Sequence, residues 1–192
     1  MRRVLYLMRH GETLFNQQKK IQGWSDSPLT EKGRRQAMIV REYFIKNKIN
    51  FDGAYSSTSE RACDTLELVT DRDYRRIKGL KEWNFGTMEA EHEYLNPLLP
   101  YEDFFVAFGG EGELAFRERI SNSLVKIMKE DQGEVILAVS HGAVLRQFMR
   151  QWAHTSKVDQ KERLGNCCLL KFEFMDEAFK LLEIINHDYS AL

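Results

Sequence analysis

The apolar positions along the chain follow two periods. Val4, Leu5, Tyr6, Leu7 and Met8 run without a break, and so do Val135, Ile136, Leu137, Ala138 and Val139. Short continuous runs of this kind predict strands covered on both faces. Elsewhere the spacing changes to three and four. Ala37, Val40, Tyr43 and Phe44 share one helical face in PLTEKGRRQAMIVREYF, with Thr30 as the N-cap. FDGAYSS predicts a short strand or turn leading into a helix over about 59–70. Ile120, Leu124, Ile127 and Met128 mark a helix over 114–130, stopped at Gln132–Gly133. GAVLRQFMRQWA predicts another helix, and CCLLKFEF with FKLLEII a hairpin turning between Met175 and Ala178. Alternating strands and helices predict an α/β sandwich around a mostly parallel sheet.

One stretch breaks the pattern. Residues 86–116 contain no Lys or Arg, seven acids (Glu89, Glu91, Glu93, Glu102, Asp103, Glu111 and Glu113), two of the three prolines and several aromatics. It reads as an excursion over the sheet edge that forms a lid. The chain of 192 residues otherwise fits a single domain, 1–192, large enough to bury a core without a disulfide or metal staple. A net charge of −1 gives no general attraction to nucleic acid or to anionic membrane. Cys63, Cys167 and Cys168 are odd in number and contain no C-x-x-C, which argues against a disulfide framework or a zinc ribbon. Cys63 reads as core, and Cys167 and Cys168 as packing residues at adjacent strand positions facing opposite ways. Val4–Met8 is too short for a signal-peptide core, and no apolar run approaches a membrane span, so the reading is a cytoplasmic protein.

Both predicted core strands end in a histidine followed by a glycine: His10–Gly11 and His141–Gly142. Ligands of open α/β sheets bind at the carboxyl ends of strands. If these strands are neighbours, the two imidazoles meet at one edge, and the turn at Gly11 brings backbone close to a ligand. Arg9 and Arg61 would add two guanidinium forks suited to phosphoryl oxygens. A histidine there can act as nucleophile through one ring nitrogen while the other holds its proton against an acceptor. Each residue alone has a plainer reading. Arg9–His10 fits a solvated strand end, His141 a core histidine, and Arg61 a helix salt bridge with Glu60 or Asp64. His92, His154 and His187 belong to no motif and read as surface or lid residues. Arg72, Arg75, Arg76, Lys78 and Lys81 read as a solvated basic face with at most weak steering of anions. No C-x-x-x-x-x-R or G-x-x-x-x-G-K-[ST] occurs, which excludes a cysteine phosphatase and a P-loop.

LMRHGETLFNQQKKIQGWSDSPLTEKGRRQA, YSSTSERACDT, LKEWNFGTME, VSHGAVLR and NCCLLKFEF, in this order, resemble the histidine phosphatase superfamily, the phosphoglycerate mutase-like proteins. The resemblance spans nearly the whole chain. It implies a three-layer α/β/α sandwich and a metal-independent enzyme with no cofactor. His10 would be the nucleophile that becomes phosphohistidine. Arg9, Arg61 and His141 would complete the phosphate pocket, lined also by Asn16, by Gln22 and Gly23, and by Gly142. Glu82 would be the general acid, its pKa raised by desolvation from Trp83 and Phe85. The family's E-G is Glu89–Ala90 here, and its G-E-S is Gly110–Glu111–Gly112, which removes a serine able to touch phosphate. Arg119 falls at the family's following arginine and reads as a structural salt bridge.

The family contains mutases and phosphatases. A mutase must hold a second anionic group and exclude water, with cations supplied from the segment after the acid. That segment here has seven acids and no cation. The resulting expectation is a phosphomonoester hydrolase for a small substrate with one phosphate and little other negative charge, releasing inorganic phosphate. Tyr94, Tyr101, Phe104, Phe105 and Phe108 would either wall the leaving group or pack the lid. The alternatives are a 2,3-bisphosphoglycerate-dependent phosphoglycerate mutase and a non-catalytic phospho-ligand binder. The protein would act as a monomer or homodimer.

Overall fold

The computed structural model describes residues 2–192. Strands β1 (Arg3–Arg9), β2 (Gly53–Ser57), β3 (Arg75–Ile77), β4 (Val135–Ser140), β5 (Leu169–Met175) and β6 (Ala178–Ile185) form one sheet in the order β3-β2-β4-β1-β5-β6. The first four in that order are parallel, and β5 and β6 join as an antiparallel hairpin. The helices are α1 (Leu14–Gln17), α2 (Glu31–Lys46), α3 (Glu60–Val69), α4 (Glu113–Glu130) and α5 (Gly142–Gln151).

The continuous apolar strands divide their side chains between two cores. Leu5, Leu7, Ile136 and Ala138 join Ile120 and Leu124 of α4 and Phe148 of α5 on one side. Tyr6, Met8, Leu137 and Val139 join Val40 and Phe44 of α2 and Leu66 of α3 on the other. Strands with alternate residues in each core need apolar residues at every position, which is why they show no alternation. Three α/β/α layers result. Thr30 caps α2 by accepting from Gly33 N–H at 3.0 Å, a contact worth about 1 kcal/mol. Among the described residues no helix is long and apolar enough to cross a membrane.

Several local expectations need correction. The basic run contains β3, an edge strand pairing Arg75–Ile77 with Tyr55–Ser57. Charged side chains on an edge strand hinder pairing with other chains. Arg72, Arg75, Arg76 and Lys78 of that run are exposed, as a solvated basic face requires, and only Lys81 is half-buried, 4.7 Å from the Trp24 ring. Cys167 and Cys168 precede β5 and are not strand residues. Cys167 is left-handed at φ 56°, and the pair still reaches opposite cores. His187 is half-buried, its ring 5.1 Å from that of Tyr43. The irregular segment ends at Gly112, because Glu113–Phe116 already belong to α4.

Candidate active site

Arg9 on β1 is in register with Ser140 on the parallel neighbour β4, so His10 and His141 leave the sheet side by side. Both are buried, with ring centroids 5.3 Å apart. His10 N–H donates to the Ser140 carbonyl at 3.0 Å. The next residue turns the chain. Gly11 N–H donates to Thr65 Oγ1 at 3.0 Å, and a Cβ on Gly11 would stand 2.5 Å from the Gly33 carbonyl oxygen. The space beside Gly11 is therefore filled by the start of α2, where the sequence suggested a ligand.

His10 Nδ1 lies 2.8 Å from the Gly11 carbonyl oxygen. A carbonyl only accepts, so Nδ1 carries the proton and Nε2 keeps its lone pair. Arg61 Nε–H points at that lone pair from 3.4 Å. Burial first, then the charges of Arg61 and Arg9, hold the His10 pKa well below its ordinary value. The ring is neutral at pH 7 with its tautomer set.

Arg61 sits in the first turn of α3 and is buried. Its terminal nitrogens donate to Gly23 O at 2.8 Å, Ser25 O at 3.1 Å and Asp26 Oδ1 at 2.9 Å. The ion partner is thus Asp26, not Glu60 or Asp64. Held by three of its five N–H groups on the 23–26 loop and with Nε–H on His10, the guanidinium keeps, among the described residues, one N–H of Nη2 free. His141 Nε2 lies 2.8 Å from Ser57 Oγ, while its buried Nδ1 has no partner. Burial and then Arg61 hold its pKa well down too. Arg9 donates to the Leu164 carbonyl at 2.8 Å, and its buried Nε has no partner. A Cβ on Gly142 would come within 3.3 Å of the Arg9 guanidinium, so glycine leaves Arg9 room to lie across the start of α5.

Glu82 is buried in the loop before residue 86, with its carboxylate accepting from Trp83 N–H at 2.9 Å and Ala143 N–H at 3.0 Å. Desolvation raises its pKa, and the two N–H bonds and both arginines oppose the rise without cancelling it. Trp83 is buried against Phe116, ring centroids 4.7 Å apart, and Phe85 is buried beside it. Arg119 braces this loop by donating to the carbonyls of Gly79, Lys81 and Glu82 while pairing with both oxygens of Glu111. This is a structural salt bridge.

Arg9, His10, Glu82, Asn16, Gln22 and Gly142 line one cavity of about 250 Å³. Arg61, His141 and Gly23 are not among its lining residues; Arg61 and His141 are buried against His10, and the Gly23 carbonyl accepts from Arg61. Asn16 Oδ1 accepts from Thr13 N–H at 3.2 Å and Asn166 Nδ2 at 3.0 Å. Among the described residues no cluster of three or more His, Cys, Asp or Glu is placed to hold a metal ion.

Sequence reasoning missed several parts. Ser57 and Asp26 stand inside quoted motifs without an assigned task. Glu89 accepts from Trp24 N–H at 2.8 Å, Phe85 N–H at 3.2 Å and Ser25 N–H, tying the Arg61 loop to the Glu82 loop. Its fixed spacing after Glu82 was the available signal. Lys20 and Arg146 also line the cavity, Lys20 from the turn after α1 and Arg146 from α5, both inside quoted motifs but without an assigned task. The charge expected of the acidic segment is also corrected. Glu89 and Glu111 are engaged as described, and Glu113 pairs with Arg117 and accepts from Gln147 at 3.1 Å. Of the seven acids only Glu93 lines the cavity. The aromatics likewise pack the lid more than they wall a ligand. Phe105 is fully buried, Tyr94 is 79% exposed, and only Tyr101 of the five lines the cavity.

The chain matches the model of the histidine phosphatase superfamily, branch 1, over residues 5–187. A curated relative, "Probable phosphoglycerate mutase GpmB" of Escherichia fergusonii, is 32% identical over 90% of this chain and 85% of its own. The structure of a phosphoglycerate mutase from Bacillus anthracis is similar with a TM-score of 0.81 and 27% identity, covering 94% of this chain and 92% of that one. A phosphoserine phosphatase from Entamoeba histolytica, in complex with 3-phosphoglyceric acid, is similar with a TM-score of 0.78 and 29% identity, covering 97% and 98%. The strand-end histidines, the buried arginine and the buried glutamate thus sit on the fold of these proteins, and the chain belongs to the histidine phosphatase superfamily.

Proposed function

We propose that this protein is a phosphomonoester hydrolase that acts on a small phosphorylated metabolite through a phosphohistidine at His10. The observation that carries the reading is the neutral His10 ring, with Nδ1–H on the Gly11 carbonyl and the Nε2 lone pair facing Arg61. In the first step Nε2 attacks phosphorus, the ester P–O bond breaks, and Glu82 gives its proton to the leaving oxygen. In the second, Glu82 takes a proton from water, the water oxygen bonds to phosphorus, and the N–P bond breaks to release phosphate.

Arg61 and Arg9 stabilise charge on the three equatorial oxygens. With Ser57 O–H donating to His141 Nε2, His141 Nδ1–H is a further donor, and it shares with Arg9 Nε the property of being buried without a protein partner. Buried donors are normally satisfied, so an oxyanion between them completes the site. Two arginines supply the positive charge that a metal supplies elsewhere, and no metal is needed. Water as acceptor is favoured because exposed Glu93 forms part of the cavity wall, which opens the cavity to solvent. A mutase must shut water out.

The test is rapid acid and alkali quenching with a ³²P-labelled phosphomonoester. Alkali-stable, acid-labile label should appear on the protein and map to His10, and His10→Ala should remove both label and turnover. Turnover retained by His10→Ala would refute the assignment.

A further inference from the structure

We propose that Asn166 is a positioning residue for oxyanion binding: it turns the Asn16 side-chain amide so that Nδ2, and not Oδ1, faces the phosphoryl group. Calling that oxyanion a phosphoryl group rests on the phosphohistidine reading; the orientation itself stands on geometry.

An amide has two ends of nearly equal shape, and its neighbours decide which way round it sits. Thr13 N–H lies 3.2 Å from one end of the Asn16 amide. A backbone N–H only donates, so that end is Oδ1. The Asn166 side chain stands 3.0 Å from the same oxygen, so the atom it presents is its own Nδ2. That Nδ2 is also 3.3 Å from the His10 carbonyl, a group that only accepts. Both of its hydrogens are thereby used.

The loop before β5 carries Asn166 to this place. Cys167, the next residue, is left-handed at φ 56°. A residue with a Cβ holds that conformation where its surroundings impose it. Here Cys167 N–H donates to the His10 carbonyl at 3.2 Å, beside the Asn166 amide on the same oxygen. Two residues before Asn166, the Leu164 carbonyl accepts from Arg9. One loop, 164–167, thus touches Arg9, His10 and Asn16.

Asn16 lines the cavity of about 250 Å³ together with Arg9 and His10. Asn166 does not line it and instead lines the neighbouring groove with Glu12, Lys32 and Tyr189. The Oδ1 end of Asn16 is turned to Asn166, which leaves the Nδ2 end for the cavity. Among the described residues Asn16 Nδ2 donates to no protein group. An oxyanion only accepts, so Nδ2–H binds it, whereas Oδ1 turned that way would repel it. Asn166 stays clear of the anion, and its effect travels through Asn16.

The test is a double-mutant cycle on the binding of tungstate, a tetrahedral dianion that needs no turnover. In calorimetry Asn16→Ala should raise the Kd about tenfold, the loss of one hydrogen bond to a charged group. Asn166→Asp exchanges the donor for an acceptor and should raise it by a similar factor. With both substitutions the Kd should stay within about twofold of Asn16→Ala alone. Asn166→Leu, which removes the donor and adds no charge, should match Asn166→Asp. A Kd within about twofold of the parent for either Asn166 variant overturns the proposal. So do losses that multiply to about a hundredfold in the double variant, since Asn166 would then act through Arg9 or through its own charge. If Asn166→Leu does not fold, the cycle with Asn166→Asp decides. The side-chain amide resonance of Asn16, identified by its loss in Asn16→Ala, should move on saturation with tungstate in the parent and stay still in Asn166→Asp. No shift in the parent, or equal shifts in both, overturns the orientation. Hydrolysis is read separately, by phosphate release from p-nitrophenyl phosphate. Failure there with the cycle intact sinks the hydrolase and leaves Asn166 as the residue that orients an anion-binding amide.

Discussion

The floor and the rim of the cavity are built by different physics. On the floor His10, Arg61 and His141 are buried, and Arg61 alone makes four polar contacts with the protein. On the rim, between Gly86 and Gly112, short 3₁₀ turns replace regular elements, and Leu98 is 93% exposed. A buried polar group left unpaired costs about 1–3 kcal/mol, so the floor admits one arrangement. An exposed loop carries no such penalty and tolerates many sequences. Chemistry that needs a fixed nucleophile belongs on the floor, where the polar groups admit one arrangement.

The comparison breaks most sharply at Arg61. Arg61→Lys keeps the charge but loses the planar fork on Gly23, Ser25 and Asp26. Turnover of p-nitrophenyl phosphate should fall by about 10²–10³ in kcat, the loss typical of removing one oxyanion donor. A lysine enzyme within threefold of the parent would show that charge alone suffices and that the rigid floor is unnecessary.

Glu82 stands where floor meets rim, and its effect should depend on the leaving group. Glu82→Gln should cost roughly 10²-fold on an alkyl phosphate and little on p-nitrophenyl phosphate, whose leaving oxygen needs no proton. The pH profile carries the same distinction. His10 must be neutral, and its pKa is lowered, so the acid limb lies below the ordinary histidine value. Glu82 must be protonated, and its pKa is raised, so activity on alkyl phosphates falls as pH rises through a value above the usual carboxylate range. On p-nitrophenyl phosphate that alkaline limb should be missing. Identical profiles for both substrates would remove Glu82 from the acid role.

Glu89 sharpens the comparison from the other side, since it ties one region to the other. Glu89→Gln turns half of a pure acceptor toward three N–H donors and should loosen the 23–26 loop. We expect a loss of about tenfold in kcat with KM nearly unchanged, of the size expected when a group that only orients a catalytic residue is weakened. Glu89→Asp, which keeps the charge, should recover part of it. Equal losses in both variants, tracking a fall in Tm, would reduce Glu89 to a structural residue.

The floor was legible because its constraints are local in sequence. Apolar runs ending in His10–Gly11 and His141–Gly142 marked two strands and two candidate site residues together; that β1 and β4 are parallel neighbours was only a condition in the sequence and is seen in their register. The rim was not legible for the opposite reason. The seven acids of 86–116 could be counted but not placed: Glu89 and Glu111 bond to Trp24 and Arg119 in other elements, while Glu113 pairs with Arg117 one turn on in the same helix. Lys20 and Arg146 stood inside quoted motifs yet received no task, because a cation lining a cavity looks, in sequence, like any surface cation. Cys167 was misplaced by one local feature, a left-handed backbone at φ 56° that ends the approach to β5 early. Propensity does not announce a positive φ at a cysteine.

The smallest effect is expected on the outermost rim. Phe105 and Leu98 both belong to the acidic segment, yet Phe105 is fully buried and Leu98 is 93% exposed. Truncating a buried phenylalanine costs about 3–5 kcal/mol. Leu98→Ser removes little apolar area from contact and should change stability by less than about 0.5 kcal/mol. For a chain of this length that is a shift in Tm of about 1–2 °C at most. Turnover of p-nitrophenyl phosphate should stay within twofold, because Leu98 does not line the cavity. A tenfold loss in kcat/KM with Tm unchanged would mean that the segment closes over bound substrate and buries Leu98 there. The rim would then be a moving part of the catalytic site, and its division from the floor would hold only in the unliganded protein.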